Sequence, residues 1–339
     1  MTQSRNLLRL SAVCASVCLV AGQALAWGAA GHRLIGRAAI AGLPTDLPAF
    51  LRDSSAVAAV GELAREPDRW RGAGKTHDAD RDPAHFLDLD DNGAILGGPP
   101  LAALPETRAA YDTALRSVGA DSWKAGYLPY SIIDSWQQLA KDLAYWRADA
   151  AAAARTTDTS HRAWFLTDLA ERQDLALRDA GVLAHYVGDG SQPLHVTIHF
   201  NGWRPGPNPR GFTLAPVHGP FEGELVHRSV TQPAVSAAMS PPVEVGPDIA
   251  RWTADYLAAT SRQVVPFYEL QLAGGLAAGD PRGRDFAAMR LGAGAGALRD
   301  LIVAAWRVSA AGRVGWPEVS VSDVESGKVE PFDSLYGTD

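Results

Sequence analysis

Three stretches of this sequence set histidines and carboxylates at spacings suited to holding metal ions. In HYVGDGSQPLH, His185 and Asp189 stand four residues apart, on one face of a helix read as ending near Gly190, and His195 follows beyond the turn. In VHGPFEGEL, His218 and Glu222 repeat the four-residue spacing at a loop-to-helix transition and complete a set of three with His195. The segment around Asp68 and His85 carries many other acids, and spacing alone does not choose among them. Zinc takes imidazole nitrogen and carboxylate oxygen, and a carboxylate with two oxygens can serve one ion or bridge two. An isolated His-x3-Asp pair more often caps a helix end, so it is the recurrence of such segments that points to metal.

A fourth stretch, WGAAGH, follows residues that read as an export signal. Arg5 and Arg9 precede the apolar run Leu10 to Val20, and Ala24-Leu25-Ala26 makes a small-x-small cleavage site. Cleavage before Trp27 would free an α-amino group beside a peptide carbonyl, a chelating pair once the amine loses its proton, with His32 five residues on. The expected product is periplasmic or secreted. The apolar run is short and punctuated for a membrane span, and no later segment approaches the length one needs.

The bulk composition narrows the classes. With 339 residues, 47% of them hydrophobic and 20% charged, the chain has the apolar material for a large core. Its net charge is −7, and loss of residues 1–26 with their two arginines takes it to −9. That disfavours a broad basic surface gripping duplex nucleic acid, so phosphate recognition would be local or carried by metal. Both cysteines, Cys14 and Cys18, fall inside the signal, leaving a mature chain without a thiol, held by packing and metal.

The elements that must position these groups read as helices. Tyr130 to Ala154, His161 to Val187, Asp248 to Leu272 and Arg284 to Ala311 carry apolar residues at three and four spacings, with good helix formers between. Segments rich in Gly, Pro, Asn and Asp separate them: about 68–100, 201–219 and the tail after Trp316. No internal repeat is visible. Helices facing inward with histidines and carboxylates can build a multinuclear metal site from rigid, closely spaced faces.

WGAAGH, HFLDLDDN, HYVGDGSQPLH and HGPFE, in this order from Trp27 to about Glu222, resemble the superfamily of zinc-dependent single-strand nucleases and bacterial zinc phospholipases C. The resemblance implies an all-α fold: a single mainly helical domain over 27–318, after the signal 1–26 and before a tail 319–339, with long irregular loops around a trinuclear zinc cleft. It further implies three zinc ions. Asp68, His85, His185 and Asp189 would hold one, Asp189 would bridge to a second on Trp27 and His32, and His195, His218 and Glu222 would take the third.

The same resemblance implies phosphate-ester hydrolysis by a zinc-activated water. Asp68 and Asp189 are then catalytic through the metal, and Arg71 matches the arginine that steadies charge on the phosphate. Phe86 matches the aromatic on which the nucleases stack a base, and Asp88 either bonds a base edge or supports the ligands. The loop holding Trp203 and Arg204 can line a substrate lip or serve as plain surface. The short WGAAGH start is similar to the nucleases, whereas Glu222 and HFLDLDDN lean toward the phospholipases. With no membrane-docking helix apparent, the reading favours single-stranded nucleic acid or nucleotides as substrate, phospholipid second, and a non-catalytic zinc-binding helical protein third. No obligate protein partner is implied.

Overall fold

The computed structural model describes residues 27–337; residues 1–26, which the sequence reading takes as an export signal and which carry Cys14 and Cys18, and the last two residues lie outside the described residues. The described chain is mainly helical, as the sequence pattern predicts. It begins with α1 (Gly28–Ala41), α2 (Ser54–Leu63), α3 (Glu66–Arg69) and α4 (Lys75–Arg81). Two short helices, α5 (Arg108–Arg116) and α6 (Ser122–Ala125), lead into the long α7 (Leu128–Arg155) and α8 (Thr159–Ser191). After an irregular stretch come α9 (Val226–Ser229), α10 (Gln232–Ala237), α11 (Ile249–Ser261), α12 (Val264–Leu272) and the long α13 (Pro281–Ser309).

Local chemistry sets these boundaries. Asp158 caps α8 by accepting from the backbone N–H groups of Ser160 and His161, and Asp280 caps α13 with Pro281 at its first position, where a missing N–H costs nothing. Only Thr156–Asp158 separates α7 from α8, so the two fold back on each other as an antiparallel hairpin. Against this hairpin pack α1, α2 and α13, burying Ile35, Val60, Leu139, Leu183 and Leu298 completely. A fully buried side chain of this size contributes about 1.5–3 kcal/mol. Among the described residues, no helix is long and apolar enough to cross a membrane.

Three expectations need correction. The stretch 68–100 is not irregular throughout, since it holds α4 (Lys75–Arg81) and a 3-10 turn over Asp82–His85. Asp248 to Leu272 is not one helix: it breaks at Arg262 and Gln263 between α11 and α12. Pro266 explains the break, because its ring would collide with the carbonyl four residues back, at Arg262. The region after Trp316 is not irregular. β1 (Arg313–Val314) pairs antiparallel with β2 (Val319–Ser320), and α14 (Val321–Glu325) and α15 (Phe332–Tyr336) follow. Val314, Val321 and Val324 join Ala144, Ala148 and Ala152 of α7 and Phe165 of α8 in a second small core, with Phe332 and Leu335 against it. These apolar runs are too short for a period to be read from the sequence.

Candidate metal centre

Every segment that the sequence marked for metal chemistry reaches the C-terminal end of α8. That helix presents His185 and Asp189 one turn apart, and α1 brings His32 alongside, its ring stacked on His185 at 4.0 Å. Asp68 comes from α3, and His85 ends a 3-10 turn over Asp82–His85. His195 ends a second such turn over Pro193–His195. His218 precedes, and Glu222 lies within, a π-helical stretch over Pro220–Leu225, a wider winding often found where a helix serves a site.

Three groups of side chains can each hold a metal ion: His32, His185 and Asp189; Asp68, His85 and His185; and His195, His218 and Glu222. Within each group the ligand atoms lie within 4.8 Å of one another. Asp189 joins the first two. Its Oδ1 lies 3.5 Å from His32 Nε2, while its Oδ2 lies 3.0 Å from His85 Nδ1 and 3.3 Å from His185 Nε2. One carboxylate thus turns its two oxygens to two sets of imidazoles, the arrangement a bridge requires. Two imidazole nitrogens, His185 Nε2 and His85 Nδ1, approach to 2.9 Å.

Hydrogen bonding has aimed these rings. His185 donates Nδ1–H to the Ala64 carbonyl at 2.8 Å, and His195 donates Nδ1–H to the His85 carbonyl at 2.6 Å, which leaves Nε2 of each as a lone-pair donor. Gln192 donates to Glu222 Oε2 at 3.2 Å. What the protein leaves unsatisfied is equally informative. His32 Nε2, Asp68 Oδ1, Asp189 Oδ1, His195 Nε2 and Glu222 Oε1 are buried without a hydrogen-bond partner. His218 Nε2 sits 2.8 Å from Glu222 Oε2 but is not aligned for a hydrogen bond. Buried polar atoms left unpaired cost about 1–3 kcal/mol each, so a cluster of them converging on common points fits bound cations.

The electrostatics agree with that fit. Burial opposes ionisation of Asp189, yet the neighbouring His185 and His195 outweigh it and hold the carboxyl well below the usual range. Burial, with His185 nearby, holds His32 well below its ordinary value, in the neutral form a ligand needs. Burial also lowers His85. His195 runs the other way: burial pushes it down, but Asp189 and Glu222 prevail and raise it to about 9. A metal ion there would displace a proton.

A cavity of about 460 Å³ opens over this centre. His85, His195 and His218 line its floor, with Arg71 and Phe86 beside them. Arg71 lies 3.5 Å from both Asp68 Oδ1 and Asp82 Oδ1, so the carboxylates on either side hold its guanidinium at the edge of the ligand set. Asp88 also lines the cavity, and burial raises its carboxyl to about 7.

Trp27 is wholly buried at the start of α1, and its indole N–H is shared between the Gly188 carbonyl at 2.8 Å and Ser191 Oγ at 2.9 Å. Those acceptors flank Asp189 in the chain, so the residue that leads into α1 is fastened to the end of α8 that carries Asp189. Trp203 turns inward, stacked on His199 at 3.9 Å, and Arg204 donates to the Leu214 carbonyl; neither lines the cavity. Among the lining residues that sequence reasoning missed, Trp123, Lys124 and Phe200 stand in no metal motif. No protein-family model matches the chain, and no curated protein matches it significantly.

Proposed function

We propose that this chain is an exported zinc-dependent phosphoesterase, akin to the single-strand nucleases and zinc phospholipases C, that hydrolyses single-stranded nucleic acid and 3′-nucleotides. The observation that carries the reading is the cavity whose floor joins His85 of one ligand group to His195 and His218 of another, with Arg71 at its side.

In this reading Asp68, His85, His185 and Asp189 would hold one zinc ion, Asp189 with His32 and the freed amine of Trp27 a second, and His195, His218 and Glu222 a third. When bound, the ions supply Lewis acidity, bringing a water toward ionisation near neutral pH and stabilising charge on phosphoryl oxygens. Arg71 directs its donor fork at the phosphate and is held ready by Asp68 and Asp82. Phe86 offers a face to a base, and Asp88, near neutrality, can donate or accept at a base edge. The buried floor keeps bulk water from competing for these contacts. Glu222 in the third group favours phospholipid as the second reading, since the phospholipases resemble the chain at this position.

Protein beginning at Trp27 should contain about three zinc ions, lose activity to chelators, and cleave single-stranded DNA, RNA and 3′-mononucleotides in preference to phosphatidylcholine micelles. Undiminished hydrolysis after verified metal removal would sink the mechanism. Preference for the micelles would move the substrate to phospholipid, and metal without turnover would leave a zinc-binding protein. An extra residue before Trp27 should lower metal content.

A further inference from the structure

Trp123 and Phe200 are large aromatic side chains left 61% and 47% exposed at the rim of the metal cavity. Exposed aromatics on mobile loops say little, but the backbone beneath these two is fixed to the ligand-bearing segment. The chain carrying Trp123 is tied to residues 83–88 by three backbone hydrogen bonds: Asp88 N–H to the Ala125 carbonyl at 2.8 Å, Tyr127 N–H to Pro83 at 2.8 Å and Leu128 N–H to Phe86 at 3.2 Å. At Gly126, with φ of +74°, a Cβ would fall 2.0 Å from the Phe86 carbonyl oxygen, so only glycine permits this approach.

Phe200 is held in the same way from the other side of the chain. Leu87 N–H donates to the His195 carbonyl and Ile198 N–H to the Leu89 carbonyl, while Tyr268 donates its hydroxyl to the His199 carbonyl at 2.6 Å. Both aromatics therefore stand on backbone that is fixed relative to His85 and His195. Lys124, next to Trp123, also lines the cavity; its backbone N–H donates to Asp121 Oδ1 at 2.9 Å, while its ammonium forms no ion pair among the described residues. Two exposed aromatics on anchored backbone, lining one cavity with an ammonium that forms no ion pair, offer a local binding surface for an aromatic, anionic ligand in a chain of net charge −7.

We infer that Trp123, Phe200 and Lys124 form an outer subsite for single-stranded nucleic acid, in which a nucleobase beyond the one at Phe86 stacks on the exposed aromatics and Lys124 takes the adjoining phosphate. The inference rests on the proposed nuclease reading and extends it from one nucleotide to a chain. The cavity volume lies in the range of roughly 300–1,000 Å³ typical of pockets that enclose a whole ligand, more than a lone phosphate group needs. Every base has a π-face, so such a platform rewards length over sequence.

The test compares hydrolysis of a thymidine hexanucleotide with that of bis(p-nitrophenyl) phosphate, which has the ester but no base, in the zinc-loaded protein. Trp123→Ala should lower the ratio of kcat/KM on the hexanucleotide to that on the small diester by about 5- to 100-fold, mainly through KM, with Trp123→Phe restoring most of it. Lys124→Gln should reduce the salt slope of binding a fluorescent, non-hydrolysable hexanucleotide by about 0.7, the share of one phosphate on a single strand. An unchanged ratio for Trp123→Ala overturns the subsite. So does a loss confined to phosphatidylcholine vesicles, which would make the rim a lipid contact. Absence of hydrolysis of either diester refutes the phosphoesterase reading instead, and the binding measurement still decides the subsite: equal affinity of the parent and Trp123→Ala proteins would refute it.

Discussion

The two ends of α8 both bury carboxylates, and they do so to opposite effect. At the C-terminal end, Asp189 meets three imidazoles and stays ionised, with Oδ1 unpaired and facing His32. At the other, acid-rich end, which reaches past the middle of the helix, Asp168 and Asp179 of α8 face Asp149 and Asp142 of α7, with Arg172 bound to Asp142 and Asp168 at 3.2 Å each. Here there are too few cations for the acids. Burial, reinforced by Asp168, pushes Asp149 up to about 9, and burial, reinforced by Asp142, pushes Asp179 up to about 8. Both oxygens of Asp149 are buried without a partner, and protonation lets one of them donate to Asp168. Asp179 and Asp189 are about 15 Å apart along the helix axis. A cluster of buried acids is thus not by itself a metal site. Imidazole lone pairs converging on the carboxylate distinguish the two ends, and no group able to hold metal is found at the acid-rich end among the described residues.

The sharpest way to break this comparison is to neutralise one carboxylate at each end. Asp189→Asn should lower turnover by about 10³-fold or more, because it withdraws negative charge from two ion positions at once. Metal analysis of the variant should show two ions weakened. Asp149→Asn should leave metal content at the parent level. If both variants lose activity mildly and equally, Asp189 is no bridge and the two ends do not differ in kind.

The second effect is on stability and has a defined sign. A carboxyl whose folded-state value is raised contributes stability that is intact below its unfolded value, near 3.8, and is lost as pH rises toward the folded value of about 9. Across that window the parent protein should lose up to about 1.4 kcal/mol per pH unit at this site. Asp149→Asn keeps a donor toward Asp168 and removes the ionisation, so its advantage in thermal midpoint should grow from pH 5 to pH 8. A gain of equal size at every pH would show that the acid is not held protonated. Asp189→Asn should not reproduce that trend, since its carboxyl is shifted the other way.

Much of this contrast is legible in the sequence, though unevenly. Four-residue spacings placed His185 with Asp189 and His218 with Glu222, because helical periodicity is local and a ligand pair needs one face. The long helices are legible for the same reason, within a few residues at their ends, whereas α11 and α12 share one apolar pattern and only Pro266 marks the break between them. Asp68 was assigned through the resemblance; its meeting with His85 and His185 depends on α3 packing beside α8, which no local pattern encodes. Trp123 and Phe200 carried no signal, since an isolated aromatic has the same local pattern whether it fills a core or faces a cavity. The acid-rich end carries no local signal, because Asp142 and Asp149 lie on one helix, Asp168 and Asp179 on another, and they meet only when the two pack.

The smallest expected effect separates ligand geometry from fold stability within the last turns of α8. A Cβ at Gly188 would lie 3.1 Å from His32 Nδ1 and 3.1 Å from Ile35 Cδ1, close enough that the imidazole must shift by a few tenths of an ångström. Ala is also the better helix residue by about 1 kcal/mol, so Gly188→Ala should leave the thermal midpoint of the metal-free protein level or slightly raised. Displacing one ligand ring should weaken the ion shared by His32 and Asp189 by about 10- to 100-fold, the scale of losses seen when ligand orientation is disturbed. Competition with a chelator should then release one ion early and the others at parent concentrations. Parent-like release of every ion would mean that His32 is not held in place for metal, and the contrast between the two ends of α8 would rest on the remaining imidazoles alone.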